Sequence, residues 1–211
     1  FRLRQLITKK TMNGLQSRNG EKFMEQNSLH EQQELLEAQI RECFGRVTYS
    51  HKTHEKCADI LLSSNACIKL WQMILSAVTT GTFLATVIWD GKIAAVIGTI
   101  LSTVLLVLNA YTKKYDLAGL AEKHKTAASS LWDIRESYLS LLADFRFMPV
   151  GDVITKRDEL QKKLGNIYKG CPRTNSKAYE AAQKALKENE ELTFSDEEID
   201  KLLPTRIRKL Q

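Results

Sequence analysis

Between about Asn27 and Ser64, apolar and weakly polar positions recur at steps of three and four: Leu36, Ile40, Phe44, Val47, His51, His54, Ala58 and Leu61. On a helix of 3.6 residues per turn they fall within about 60° of one line, which predicts an amphipathic helix with a single buried stripe. The pattern then changes character. From Leu70 to Trp89 and from Ile93 to Thr112 no charged residue occurs, and only Asp90, Gly91 and Lys92 separate the two runs. As helices these runs are each about 30 Å long, the thickness of a bilayer's hydrocarbon core. They predict a membrane hairpin whose first crossing continues directly from the amphipathic helix.

After the second run the three-four pattern returns at Leu117, Ala121, His124, Ala128, Leu131, Leu139 and Leu142, until Phe147, Met148, Pro149 and Gly151 break it. Both crossings are therefore expected to extend into an antiparallel helical stalk. Three shorter helices should follow, over residues 152–164, 176–191 and 195–203. Gly165, Gly170 and Pro172 separate the first two, and Ser195 with Glu198 has the spacing of a capping box. No segment alternates as a strand. The expected class is an all-α membrane protein, divided into a basic extension (1–26), a two-crossing core (27–148) and C-terminal helices (149–211).

Phase within the crossings separates two kinds of face. With Gln72 as origin, Ser76, Thr79, Phe83 and Thr86 lie within about 40° of one line, while Ala77, Gly81 and Ala85 form a ladder of small residues opposite, fit for close helix packing. In the second crossing Gly98, Thr99, Ser102, Leu106 and Asn109 share a line with Ala95. Ile97, Ile100, Leu101, Val104, Val107 and Leu108 are left for lipid. Isolated hydroxyls commonly bond their own helix backbone. The in-line run, together with Gln72 and Asn109, favours an oligomer with a polar centre. Gln72, Ser76, Thr79, Thr86, Ser102 and Asn109 would then line a pore, with Phe83 as a hydrophobic gate that closes it by dewetting.

Charge fixes an expected topology. Lys69, Lys113 and Lys114 bound the outer ends of the hairpin, with Lys52, Lys56, Lys123 and Lys125 close behind, so the positive-inside rule places both termini in the cytoplasm. The first 24 residues hold six Lys or Arg against Glu21 alone, most of the chain's net charge of +6. The rest is nearly neutral, which argues against a nucleic-acid partner; the basic arm reads as a solvated tail. Its first twenty residues lack the apolar core of a signal peptide. Met24, just ahead of the first patterned helix, is the expected start, with the residues before it an extension.

Few residues offer chemistry. Cys43, Cys57, Cys67 and Cys171 form no CxxC pair, so small buried hydrophobes are expected and not a metal knuckle. His51, His54 and His124 lie on the buried stripes, and a hairpin symmetric about Gly91 sets His54 opposite residue 128, one turn from His124. Three imidazoles could approach there as a metal site or a proton-sensitive latch, but core histidines with ordinary partners are the expectation, and no cofactor or metal is expected. Arg135 falls on the same stripe and needs a carboxylate. Glycine-rich phosphate loops, GxSxG, HExxH and charged residues inside the crossings are all missing, so no enzyme is expected.

Several runs in order carry a resemblance. Residues 46–59 (RVTYSHKTHEKCAD) lead into a crossing that begins near Trp71 and contains Thr79-Thr80-Gly81. The second crossing is followed by residues 115–117 (YDL), 122–138 (EKHKTAASSLWDIRESY) and 142–145 (LADF). Residues 181–193 (AAQKALKENEELT) and 197–204 (EEIDKLLP) come near the end. From about Ser28 to Arg208 the chain resembles the SLATT family of bacterial two-transmembrane effector domains. The resemblance implies a role in antiphage conflict systems beside nucleotide second-messenger synthases, as a homo-oligomer that permeabilises the inner membrane. It implies as partners the lipid bilayer and a nucleotide second messenger or an operon-encoded sensor protein, without locating a nucleotide site. Arg46, Lys123 and Arg135 could meet phosphates or serve local ion pairs. A membrane-anchored scaffold without a pore is the other reading.

Overall fold

The computed structural model describes the backbone of residues 2–89 and 91–208, and side chains of residues 29–88 and 91–208. The basic arm, residues 1–26, and the proposed start at Met24 therefore lie outside the described side chains. The elements are α1 (Arg2–Trp89), α2 (Lys92–Lys114), α3 (Leu117–Asp144), α4 (Val150–Gly170), α5 (Ser176–Lys187) and α6 (Asp196–Leu202), with 3-10 turns at Phe145–Phe147 and Thr205–Ile207. Among the described residues there is no strand.

The chain divides into two compact units. The first comprises residues 1–46 and 134–165. Its buried side chains are Leu36, Ile40 and Cys43 of α1, Ile134, Tyr138 and Leu141 of α3, and Val153 and Leu160 of α4. Polar bonds join the same helices at their rim, where Arg157 Nη1 donates to Gln39 Oε1 at 2.7 Å. Arg135 finds its carboxylate in the adjacent Glu136, and its guanidinium lies 5.3 Å from the Phe44 ring centre. The expected α3 positions Ala121, His124, Ala128 and Leu131 are buried, but beyond them the stripe runs Ile134, Tyr138 and Leu141, one step off the expected Leu139, which is exposed, and Leu142, which is half-buried. Tyr138, with Ile134 and Leu141 one turn to either side, offers a continuous apolar ridge that Leu139 alone cannot.

The second unit, residues 47–133 and 166–211, holds both apolar runs. Here α1 continues through the first run without a break, as expected. Contact with the returning chain follows a three-four seam. Gln72, Leu75, Thr79, Thr82 and Thr86 are half-buried on α1, as are Ala94, Gly98, Leu101, Leu105, Leu108 and Thr112 on α2. Such spacing is that of left-handed helix pairs. Leu101 and Leu108, assigned to lipid by phase, instead pack on the seam. Gly98 is the close approach, since a Cβ there would sit 2.8 Å from Thr82 Oγ1.

The second crossing does not run on unbroken. Tyr115 is extended, and Asp116 Oδ1 accepts from Gly119 N at 2.8 Å, capping a new helix, α3. Gly119 suits this cap because a Cβ would lie 2.1 Å from Asp116 Oδ2. Extended residues cover about twice the length of helical ones. The partners of α1 therefore shift, so that His54 meets His124 and His51 meets Ala128.

Two further boundaries differ from expectation. α4 passes through Gly165 and stops at Gly170, and α5 ends at Lys187, ahead of a loop in which Glu190 and Leu192 have φ of 51° and 73°. The capping box at Ser195 is present, with Ser195 Oγ accepting from Glu198 N and Glu198 Oε2 accepting from Ser195 N at 2.9 Å. Cys43 and Cys57 are buried, whereas Cys67 is exposed and Cys171 half-buried.

Candidate functional site

Both apolar runs lie on the surface of the described structure. In the most apolar stretch of each helix none of the residues is buried. Met73, Val87, Ile93, Ile100 and Val107 are among the exposed side chains. A core helix of a water-soluble domain would bury such residues; a helix in lipid need not.

The polar residues of the runs divide into two sets. Gln72 Nε2 donates to Asn109 Oδ1 at 3.0 Å and to Thr112 Oγ1 at 3.3 Å, the side-chain link between the two crossings. Threonines behave differently. Thr79, Thr80, Thr82, Thr86, Thr99, Thr103 and Thr112 each donate to a carbonyl three or four residues back on their own helix. Hydroxyls satisfied in this way can rest against lipid at little cost, whereas primary amides have more hydrogen-bonding capacity than one contact uses.

The predicted residues gather along two grooves of the hairpin. One, of about 410 Å³, is lined by Thr79, Phe83, Thr86, Gly98 and Ser102. The other, of about 670 Å³, is lined by Gln72, Ser76, Ala77 and Asn109. Gln72, Thr79 and Thr86 face α2, whereas Ser76, Ser102 and Asn109 are exposed, and Phe83 is 67% exposed. The small-residue ladder is not the surface that meets α2. Ala77 and Gly81 are exposed, with open space around Gly81, and Ala85 is half-buried.

In the second unit the three histidines are buried together. His54 and His124 share a hydrogen bond through their Nδ1 atoms at 3.0 Å, so one ring donates and the other accepts. His51 Nδ1 donates to the Ala128 carbonyl at 2.9 Å, and its ring lies 5.3 Å from that of Trp132. Burial, reinforced by the neighbouring His124 and His51, pulls the His54 pKa down to about 4, and burial lowers that of His124. The pair is thus neutral near pH 7. Among the described residues no group of three or more His, Cys, Asp or Glu has the geometry of a metal site.

An ion-pair cluster borders the histidines. Lys52 Nζ reaches Glu191 at 2.6 Å and Glu55 at 2.8 Å, and Lys56 reaches Glu191 at 3.5 Å. Burial opposes the Lys52 charge, but these hydrogen bonds outweigh it and its pKa rises, while the bond from Lys52 lowers that of Glu191. This cluster went unseen in sequence because Glu191 reads there as the end of a helix. The two left-handed residues beside it aim its carboxylate at α1.

Two bilayer-length helices with exposed apolar flanks, cross-linked by an amide pair and joined to a helical base, define a helical membrane protein of the two-transmembrane kind. The chain belongs to the SMODS and SLOG-associating 2TM effector domain family 4 (SLATT), whose model matches residues 36–198. It is a membrane effector domain. Neither a curated protein nor a solved structure matches the chain significantly.

Proposed function

We propose that this effector acts in antiphage defence by assembling through its hairpin into a pore that depolarises the bacterial inner membrane, with both termini cytoplasmic. The observation that carries the reading is the exposed polar set on the hairpin, Ser76, Ser102 and Asn109 with Phe83, on a surface whose exposed threonines, Thr80, Thr99 and Thr103, are satisfied by their own helices. Two helices cannot enclose water, so a polar face in lipid is satisfied when copies turn it toward one another. The exposed Ala77 and Gly81 offer those copies a surface for close backbone approach. Lys69 and Lys113 at one end of the pair support the orientation.

The test is the loss of an imposed potassium diffusion potential, read with a potential-sensitive dye, in liposomes holding the purified chain. Phe83→Ala should raise basal ion leakage severalfold if the ring is a gate. The Gln72→Leu, Asn109→Leu double variant should lower the leakage that Phe83→Ala produces. Leakage that stays at the background of empty liposomes, in protein shown by cross-linking to be assembled, would favour an anchored scaffold without a pore.

A further inference from the structure

We infer that the larger groove of the hairpin is a binding site for one phospholipid of net negative charge, its phosphate on Lys69 and Lys113 and an acyl chain along Met73, Ala77 and Leu105. The groove measures about 670 Å³, and Lys69, Gln72, Met73, Ala77, Leu105 and Asn109 are among its lining residues. Its polarity changes along its length. A cation stands at one end, the two amides follow about one turn further in, and apolar side chains supply the rest; the hydroxyl of Thr80 is spent on its own helix. A phospholipid presents phosphate, ester carbonyls and hydrocarbon in the same order of depth.

The register of the hairpin brings the two cations together. Gln72 Nε2 donates to Asn109 Oδ1, which sets Lys69, one turn before Gln72, at the depth of Lys113, one turn after Asn109. Leu105, Asn109 and Lys113 follow one another at steps of four, so Lys113 extends the wall that Leu105 and Asn109 form. Both lysines are exposed, and neither enters an ion pair among the described residues. Between Asp59 and Asp116 the only acid is Asp90, in the turn between the crossings, and Asp116 Oδ1 is engaged by Gly119 N. Ammonium groups without a countercharge at the edge of the hydrocarbon attract anionic headgroups. Trp71, Tyr111 and Tyr115, exposed at the same end, mark the headgroup level.

The amides favour an ester beneath the phosphate. Asn109 spends Oδ1 on Gln72, which leaves its Nδ2 N–H groups to the groove, and an ester carbonyl accepts such donors without bringing one of its own. Free phosphate would leave the apolar part of the groove bare, and a zwitterionic headgroup brings its own cation toward the lysines. A lipid seated here covers Ser76 and Asn109, so it and a second copy of the hairpin are alternative occupants of one face. Lipid binding needs the hairpin in a bilayer but not the pore, and its measurement involves no ion flux, so either reading can fail alone.

The experiment records electron paramagnetic resonance of spin-labelled phosphatidylglycerol or phosphatidylcholine in phosphatidylcholine vesicles holding the full chain, where protein-bound lipid gives a motionally restricted signal. Phosphatidylglycerol should associate at least fivefold more strongly than phosphatidylcholine, and millimolar glycerol 3-phosphate should not displace it. The Lys69→Gln, Lys113→Gln double variant should lower this preference at least threefold, and so should Ala77→Phe, which fills the groove and keeps every cation. Lys114→Gln should leave the preference within 1.5-fold, because Lys114 lies about 100° round the helix from Lys113, with its ammonium 5.5 Å from the Tyr115 ring centre. Arg173→Gln removes an equal charge far from the crossing, at a cavity lined by Tyr49, Tyr168 and Tyr179, and should do the same. Lys69 and Lys113 are exposed, so their variant remains decisive even if Ala77→Phe misfolds. The proposal is overturned if the two lipids associate alike, if glycerol 3-phosphate displaces the label, or if the lysine double variant keeps the preference. A folded Ala77→Phe that keeps it, or a Lys114→Gln that loses as much as the double variant, also overturns it, since charge without a groove then accounts for the binding.

Discussion

Single atoms decide how closely the two crossings approach. Gly98 leaves room for Thr82 where any side chain would intrude, so Gly98→Val should force the pair apart at a cost of about 1–3 kcal/mol, read as a lowered melting temperature in detergent. An unchanged melting temperature would show that the seam tolerates the larger side chain. His54 makes a second prediction. Its folded pKa of about 4 lies below the ordinary 6.5, so the unfolded chain binds more protons between those values. Its contribution is therefore complete above pH 6.5 and is lost as pH falls toward 4, by about 3 kcal/mol in all. Melting from pH 7.5 to pH 4.5 should show this loss, and His54→Gln should flatten it by half or more. His124, lowered in the same sense, keeps some slope. Glu191 stays ionised through the upper part of that range, because its bond from Lys52 holds it below the usual carboxylate value, and Glu191→Gln separates its share.

At the scale of elements, caps set the boundaries that hydrophobic phase missed. Asp116 ends the continuity of the second crossing by accepting the Gly119 amide, and the D-x-x-G spacing was legible as an N-cap. Asp116→Ala should cost about 1 kcal/mol and speed amide exchange in the first turn of α3, whereas Asp116→Asn, also a good cap, should not. The Ser195–Glu198 box was recognised from spacing alone because both partners are local. Ser195→Ala should raise exchange in α6 while leaving α1 unaffected. The candidate pore residues were legible as a stripe, since composition and phase are properties of one helix. Their division into a seam-facing set and an exposed set was not, because it depends on which side the second helix takes. That choice fell to Gly98 and Thr82, not to the Ala77–Gly81–Ala85 ladder.

For the whole molecule, the unbroken α1 is the feature with most consequence, because it carries residues of the tyrosine-lined cavity, the histidine pair, the Lys52–Glu191 cluster and the first crossing on one continuous helix. Tyr49 to His54 are thereby connected to Gln72 through continuous helix, with no linker between. Inserting two glycines after Asn65, below the crossing, should interrupt this continuity and lower the leakage of the Phe83→Ala variant severalfold, read by the same dye assay. Leakage that survives the insertion would show that the hairpin acts without a continuous α1 beneath it.

The sequence by itself determined the helical class, the two bilayer-length runs, the amphipathic stripe of α1 and the family, because each is written in local composition and in order along the chain. Only the tertiary structure decided that His54 pairs with His124 and that Glu191 reaches back to Lys52. It alone brought three tyrosines and Arg173 around one cavity. These contacts join residues far apart in the chain, through a returning chain whose register is shifted by the break at Tyr115 and through a loop with left-handed backbone. Hydrophobic periodicity, which reports one helix at a time, carries no information about either.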